Sequence, residues 1–167
     1  EGEGLSAKHL LKNSKKLIIL KAFTKLYGMA GVRLGCCLCS DTELLARMRA
    51  AGQPWAVSGL AQAAGIAALD ETEYVAKVRA LIEAQRPVLA DGLRALGLRV
   101  IEGRANYLLF RAPEALGEAL RRKGAVLRSC GNYPGLDASW YRTAVRTENE
   151  NRQLLALLAE TLPEVAQ

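Results

Sequence analysis

The sequence predicts a chain of mixed type, α/β in its first part and α+β in its last, and three observations carry that reading. Two apolar runs, Leu17–Leu20 and Val32–Cys39, flank a glycine-punctuated turn, as buried strands do. The segment from Asp70 to Leu96 carries Val75, Val78, Leu81, Ile82, Leu89 and Leu93 at helical spacing, and its length suits a helix bridging two bodies. From Leu98 onward the order reads strand, strand, helix, strand, strand, helix, which sets helices on one face of a small, mostly antiparallel sheet. The expected organisation is an N-terminal tail or expression remnant over 1–16, a first segment over 17–69, a linking helix over 70–97 and a small C-terminal α+β domain over 98–167.

The elements follow in order. Leu17-Ile18-Ile19-Leu20 reads as a buried strand, and Val32 to Cys39 as a second one, entered through Gly31 and closed by Ser40-Asp41. Ser40 or Asp41 suits the N-cap of a helix over Thr42 to Ala51, with Glu43 in its first turn and Arg47 and Arg49 near its end. Gly52-Gln53-Pro54 breaks that helix. Val57 to Leu69 is alanine-rich and almost uncharged, so it predicts a helix buried on most sides. Pro87 should kink or split the long helix near Gln85, and Gly97 stops it. Leu98 to Ile101 and Tyr107 to Phe110 are strand candidates, and a helix runs from Pro113 to Lys123, ended by Gly124. Val126 to Arg128 and Trp140 to Arg146 read as two strands around the loop Gly131-Asn132-Tyr133-Pro134-Gly135. Thr147 suits the N-cap of a last helix, Glu148 to Leu162, with Glu150 at the capping-box position.

Composition narrows the class of function. Of 167 residues, 50% are hydrophobic and 24% charged, enough to bury a core and too apolar for disorder. No apolar run approaches a membrane span, and the first residues do not read as a signal peptide. The formal net charge of +6 is dispersed along helical faces without interleaved aromatics, so neither nucleic acid nor membrane is expected as a partner. Three of the four cysteines lie in Cys36-Cys37-x-Cys39, with the single histidine, His9, far away in sequence. That spacing does not suit zinc, so no metal is expected, and the thiols read as small buried hydrophobes in a reducing, cytoplasmic setting.

The chemistry concentrates in two places. Thr24-Lys25, at the tip of the first strand, is followed eight residues later by Arg33. An amine that can form an imine, with a hydroxyl and a guanidinium to hold a phosphate, suits a phosphorylated aldehyde such as pyridoxal phosphate. In the second place, alternation along Trp140-Tyr141-Arg142-Thr143-Ala144-Val145-Arg146 sets Arg142, Ala144 and Arg146 on one strand face and Tyr141, Thr143 and Val145 on the other. Arg142 and Arg146, two guanidiniums in line beside the glycine-proline loop, read as a fork for carboxylate or phosphate, with Lys25, Arg33 and Arg128 as the other candidate cations. The same patterns are compatible with an exposed lysine after a strand and with solvated arginines on an edge strand.

The segment Phe23-Thr24-Lys25-Leu26-Tyr27-Gly28-Met29-Ala30-Gly31-Val32-Arg33-Leu34-Gly35 resembles the cofactor-lysine motif of the aspartate-aminotransferase-fold (fold type I) enzymes, in their histidinol-phosphate aminotransferase branch. Gln53-Pro54-Trp55-Ala56-Val57-Ser58, Arg104-Ala105-Asn106-Tyr107-Leu108-Leu109-Phe110 and Leu127-Arg128-Ser129-Cys130-Gly131-Asn132-Tyr133-Pro134-Gly135-Leu136-Asp137 add to the likeness. The last of these, with Trp140-Tyr141-Arg142, is similar to the L-threonine-O-3-phosphate decarboxylases of cobalamin synthesis. The resemblance runs from about Leu17 to the C-terminus and implies the C-terminal part of a fold-type I enzyme. That part holds the last strands and helices of the cofactor-binding large domain, the linking helix and the small domain.

The resemblance further implies pyridoxal 5'-phosphate as cofactor, Lys25 as the catalytic lysine that condenses with it, and Thr24 and Arg33 as ligands of its phosphate. Arg142 would hold the substrate carboxylate and Arg128 the phosphate of a small phosphorylated amino acid, with aminopropanol phosphate as product. Asn106 and Tyr133 would lie near the cleft, and Tyr27 near the cofactor. Subunits of this fold pair as homodimers. A histidinol-phosphate-type aminotransferase and a catalytically silent fragment are the alternatives.

Departures from the pattern qualify these expectations. Ala22 stands where relatives carry Ser or Thr, Cys36 where an aromatic is common, and Ser58 where asparagine is common. Losing one charge-assisted hydrogen bond at Ala22 would cost about 1.5–3 kcal/mol. The N-terminal half that carries the glycine-rich phosphate loop, the stacking aromatic and the aspartate for the pyridine nitrogen is not found upstream of Leu17. A chain holding only this portion is expected to bind cofactor poorly and turn over little. Leu17–Leu20 and Val57–Leu69 would then lose their cover, giving exposed apolar patches, strand rearrangement or self-association.

Overall fold

The computed structural model describes residues 6–165. After a 3-10 helix over Ala7–Asn13, the order is β1 (Ile19–Ala22), β2 (Gly35–Leu38), α1 (Thr42–Ala51), α2 (Gly59–Asp70), α3 (Thr72–Ala95), β3 (Arg99–Ile101) and β4 (Tyr107–Arg111). Then follow α4 (Leu116–Arg122), β5 (Arg128–Ser129), β6 (Trp140–Ala144) and α5 (Glu148–Val165). The chain divides into two compact units, with the boundary inside α3 after Val78.

In the first unit β1 and β2 form an antiparallel ribbon, with Ile19 opposite Leu38 and Ala22 opposite Gly35. Asp41 caps α1 by accepting from the Leu44 N–H at 2.9 Å, and Ser58 caps α2 by accepting from Ala61 at 3.2 Å. Only one stripe of α2 is buried, Ala61, Gly65 and Ala68. At Gly65 an added Cβ would lie 2.4 Å from Leu34 Cδ2, so this contact requires glycine or a displaced leucine.

These segments read as buried where covered, and the exposed apolar patches expected of a chain holding only this portion are what is found. Leu20 is 79% exposed and Leu60 86%, while Ile18, Leu38, Ile66, Leu69 and Trp55 are exposed as well. Cys36 is exposed and Cys37 and Cys39 are half-buried, leaving Cys130 as the buried thiol. The physical reason is the small amount of structure available to cover them. A two-stranded ribbon and a helix apolar all round present more faces than the described residues of this unit can pack.

The second unit has its own core. Its sheet runs β3-β4-β6-β5, antiparallel throughout. Leu108 and Phe110 of β4 and Tyr141 of β6 point to one face, where Leu89 and Leu93 of α3, Leu116 and Leu120 of α4 and Leu158 of α5 complete the cluster. Pro87 lies inside α3, which continues to Ala95 as one helix. The proline removes one N–H donor, but the turns beyond it are fixed by the packing of Leu89 and Leu93, so the helix is not split.

Gly97 ends α3 at φ 78° with its N–H donating to the Arg94 carbonyl at 2.9 Å, a conformation that favours glycine. Tyr141, also buried, donates to the Glu114 carbonyl at 2.6 Å and accepts from the Gly117 N–H, tying β6 to the start of α4. Asn151 is buried on α5 and bonds both the N–H and the carbonyl of Arg146. Among the described residues no helix is long and apolar enough to cross a membrane. Nor does any group of three or more His, Cys, Asp or Glu side chains there suit a metal ion.

Two carboxylates in this unit act as local clasps. Glu150 accepts from the Thr147 hydroxyl (2.6 Å) and N–H (3.2 Å), and Asp137 accepts from the Ser139 hydroxyl and N–H. These bonds hold both carboxyls below their ordinary values of 4.5 and 3.8. A depressed carboxylate contributes stability that is present above its unfolded pKa and is lost as pH falls through the folded one. Acid titration followed by circular dichroism should therefore show stability falling below the ordinary carboxylate range. The combined Glu150→Gln and Asp137→Asn variant should be less stable at neutral pH, with a flatter acid limb.

Candidate active site

The lysine turn is the connection between β1 and β2. Its base is closed by the Phe23 N–H donating to the Leu34 carbonyl at 3.2 Å, and its near side by the Gly28 N–H donating to the Lys25 carbonyl at 3.1 Å, with Gly28 at φ 65°. Phe23 is buried and anchors it. Tyr27 stacks on Phe23 at 5.4 Å between centroids and on Tyr74 at 6.4 Å. Tyr74, near the start of α3, donates from its hydroxyl to the Leu26 carbonyl at 3.0 Å. Tyr27 is thus a packing residue of the turn, and Tyr74 is a support that the sequence reading missed. Its signal was only an aromatic early in a helix.

Within this closed turn Lys25 and Arg33 are exposed and Thr24 is half-buried. Neither cation has a carboxylate partner among the described residues. The Arg33 guanidinium donates to the Ala30 carbonyl at 3.2 Å, and its backbone sits at φ 56°, a left-handed conformation rare outside glycine. An amine, a hydroxyl and a guanidinium uncommitted to carboxylates fit the chemistry of an aldehyde phosphate. Ala22, ending β1 opposite Gly35, contributes no side-chain donor.

In the second unit the register resolves the arginine pattern. Arg128 of β5 lies directly opposite Arg142 of β6, so both side chains rise from the same, open face of the sheet. Arg142 is half-buried and Arg128 exposed, and neither has a carboxylate partner among the described residues. Like charges directly opposite are destabilising, which makes the pair a ready site for anions. The Arg142 guanidinium carbon lies 4.7 Å from the centroid of the Tyr107 ring, and that of Arg128 6.0 Å from Tyr133. Arg128 also donates to Asn132 Oδ1 at 3.4 Å. Arg146, beyond the end of β6, is spent on Glu150 at 3.0 Å and does not join the pair.

The loops beside this pair are braced. Gly131 meets Ala138 so closely that an added Cβ would lie 3.1 Å from its Cα, and Tyr133 donates its N–H to the Cys130 carbonyl at 3.0 Å. Arg86 of α3 donates to the carbonyls of Arg104 (2.7 Å) and Ala105 (3.2 Å). Next to them Asn106 is exposed and accepts the Val145 N–H at its backbone carbonyl, 2.9 Å.

With this geometry in view, residues 2–158 match the family model described as aminotransferase class I and II, and the chain belongs to that family. Its members depend on pyridoxal phosphate. The chain is 37% identical over 160 residues to the threonine-phosphate decarboxylase of Salmonella typhimurium strain LT2, covering 93% of this chain and 44% of that protein. It is 38% identical over 158 residues to the histidinol-phosphate aminotransferase of Symbiobacterium thermophilum, covering 93% and 43%. Among solved structures, the histidinol-phosphate aminotransferase from Clostridium acetobutylicum superposes with a TM-score of 0.92 at 30% identity, over 98% of this chain and 51% of that one. The chain therefore spans less than half the length of the curated relatives it matches.

The strained backbone at Arg33 gives a test of its own. Relief of a left-handed non-glycine residue is worth about 1–2 kcal/mol, less about 0.5–1 kcal/mol for the added freedom of glycine when unfolded. Arg33→Gly should therefore be more stable than Arg33→Ala by about 1 kcal/mol in chemical denaturation.

Proposed function

We propose that the chain is the C-terminal portion of a pyridoxal-phosphate-dependent decarboxylase acting on L-threonine-O-3-phosphate, working as a homodimer with the N-terminal part its relatives possess. The observation that carries this reading is the cross-strand pair Arg128–Arg142, opposite each other in register on one face of the sheet and neither paired with a carboxylate among the described residues. A short molecule with two anionic ends matches that pair, and threonine phosphate carries a carboxylate and a phosphate only a few bonds apart.

The cofactor, when bound, supplies an aldehyde for the substrate amine and a ring that accepts the electron pair released at Cα. Thr24 and Arg33 would bind its phosphate, and the Lys25 amine would hold its aldehyde carbon until substrate displaces it. Arg142 binds the substrate carboxylate and Arg128 its phosphate, so the two fix which bond at Cα stands free to break. When the carboxylate leaves as carbon dioxide, Lys25 Nζ supplies the proton that takes its place. Ala22 lowers affinity for the cofactor phosphate without altering this order of events. A second reading, amino transfer by a histidinol-phosphate-type enzyme, uses the same residues to steer a Cα–H bond. It is favoured by the likeness to the Clostridium acetobutylicum enzyme.

Incubation with pyridoxal phosphate, borohydride reduction and peptide mapping should place the cofactor mass on Lys25, and Lys25→Ala should abolish it. Label on Lys21 instead of Lys25 would contradict the assignment. With the N-terminal part restored, carbon dioxide release from O-phospho-L-threonine supports the decarboxylase, and amino transfer from glutamate to a keto acid supports the second reading.

A further inference from the structure

Guanidiniums in the second unit are held by carboxylates, by backbone carbonyls, as Arg86 is, or by rings, as Arg99 is by Trp140 at 5.6 Å. Arg94, Arg146 and Arg152 pair with carboxylates at 3.0 Å or less, which occupies N–H donors and offsets their charge. Arg142 and Arg128 rest on rings instead, at 4.7 and 6.0 Å. A ring attracts a cation through its face and accepts no hydrogen bond in the guanidinium plane. It can therefore fix the direction of an arginine while leaving charge and donors available.

We propose that Tyr107 is the positioning residue for Arg142, with Tyr133 a weaker counterpart for Arg128, and that these rings set the selectivity of the pair for a compact dianion. The proposal rests on the reading of Arg128–Arg142 as an anion site. Register supports it. Tyr107 lies opposite Ala144 and Arg142 opposite Leu109, so the ring is the diagonal neighbour of Arg142 on the same open face. The small Ala144 leaves the ring uncovered on that side. Distance ranks the two rings, since 6.0 Å is at the limit of a useful cation–π contact and 4.7 Å is well inside it. Arg142 is accordingly the rigid arm and Arg128 the adaptable one, which also leans on Asn132 at a long 3.4 Å. A rigid arm for the planar carboxylate and a mobile one for the tetrahedral phosphate would favour ligands whose two anions differ in shape.

The test is arginine Nε–Hε NMR of the 167-residue chain titrated with 3-phosphonopropanoate at constant ionic strength. Arg142 Hε should be shifted upfield by the ring in the native chain and in Tyr107→Phe, and both should bind the probe alike. Tyr107→Leu should lose that shift and bind about fivefold more weakly. Tyr107 is 42% exposed, so leucine is expected to fold; should it not, Tyr133→Leu supplies the same comparison at Arg128. Native-like affinity in a folded leucine variant would overturn the positioning role while leaving the anion site intact. A native chain in which the probe moves neither arginine would overturn both the site and the proposal.

Discussion

Strand β6 sits inside the four-stranded sheet, paired with β4 on one side and β5 on the other, and its alternation serves two purposes at once. Tyr141 and Thr143 enter the core, where Tyr141 also holds the start of α4, while Arg142 between them is turned to the open face. A slip of one residue would bury the guanidinium and expose the tyrosine, so the cost of misregister in the core enforces the position of the cation. The same register brings Arg128 opposite Arg142. The cross-strand arginine pair is thus a by-product of core packing.

The two units differ in how fully they satisfy their own sequences. The second has leucines and a phenylalanine removed from water on α3, α4, α5 and β4, and no buried side-chain polar atom among the described residues lacks a partner. The first buries little beyond Phe23 and the small residues Ala61, Gly65 and Ala68, and leaves Leu20 and Leu60 exposed. Because the chain spans less than half the length of its relatives, such apolar surface is understandable as a sequence pattern written for a larger body.

Legibility followed the range of the interaction. Caps were readable because they are local: Asp41 and the Thr147–Glu150 box form as their spacing implies. The facing of Arg142 was readable from strand alternation. The pairing of Arg128 with Arg142 was not, because register between strands is set by the core and not by either strand alone. The Tyr107 stack and the Arg86 clamp on the 104–105 carbonyls were hidden for the same reason. The exposure of Leu20 and Leu60 was readable only together with the missing cover, since an apolar run reports what should be covered and not whether the cover is present. Arg33 in a left-handed conformation had no sequence signal at all, for only glycine or asparagine would have announced it.

The central claim, that Arg128 and Arg142 form one anion site, is tested most directly by the thermal midpoint of the second unit's unfolding as phosphate replaces chloride at constant ionic strength. If two facing cations await an anion, phosphate should raise the midpoint in the native chain, and either Arg128→Gln or Arg142→Gln should remove that phosphate dependence. An equal response to phosphate and chloride in the native chain would contradict it.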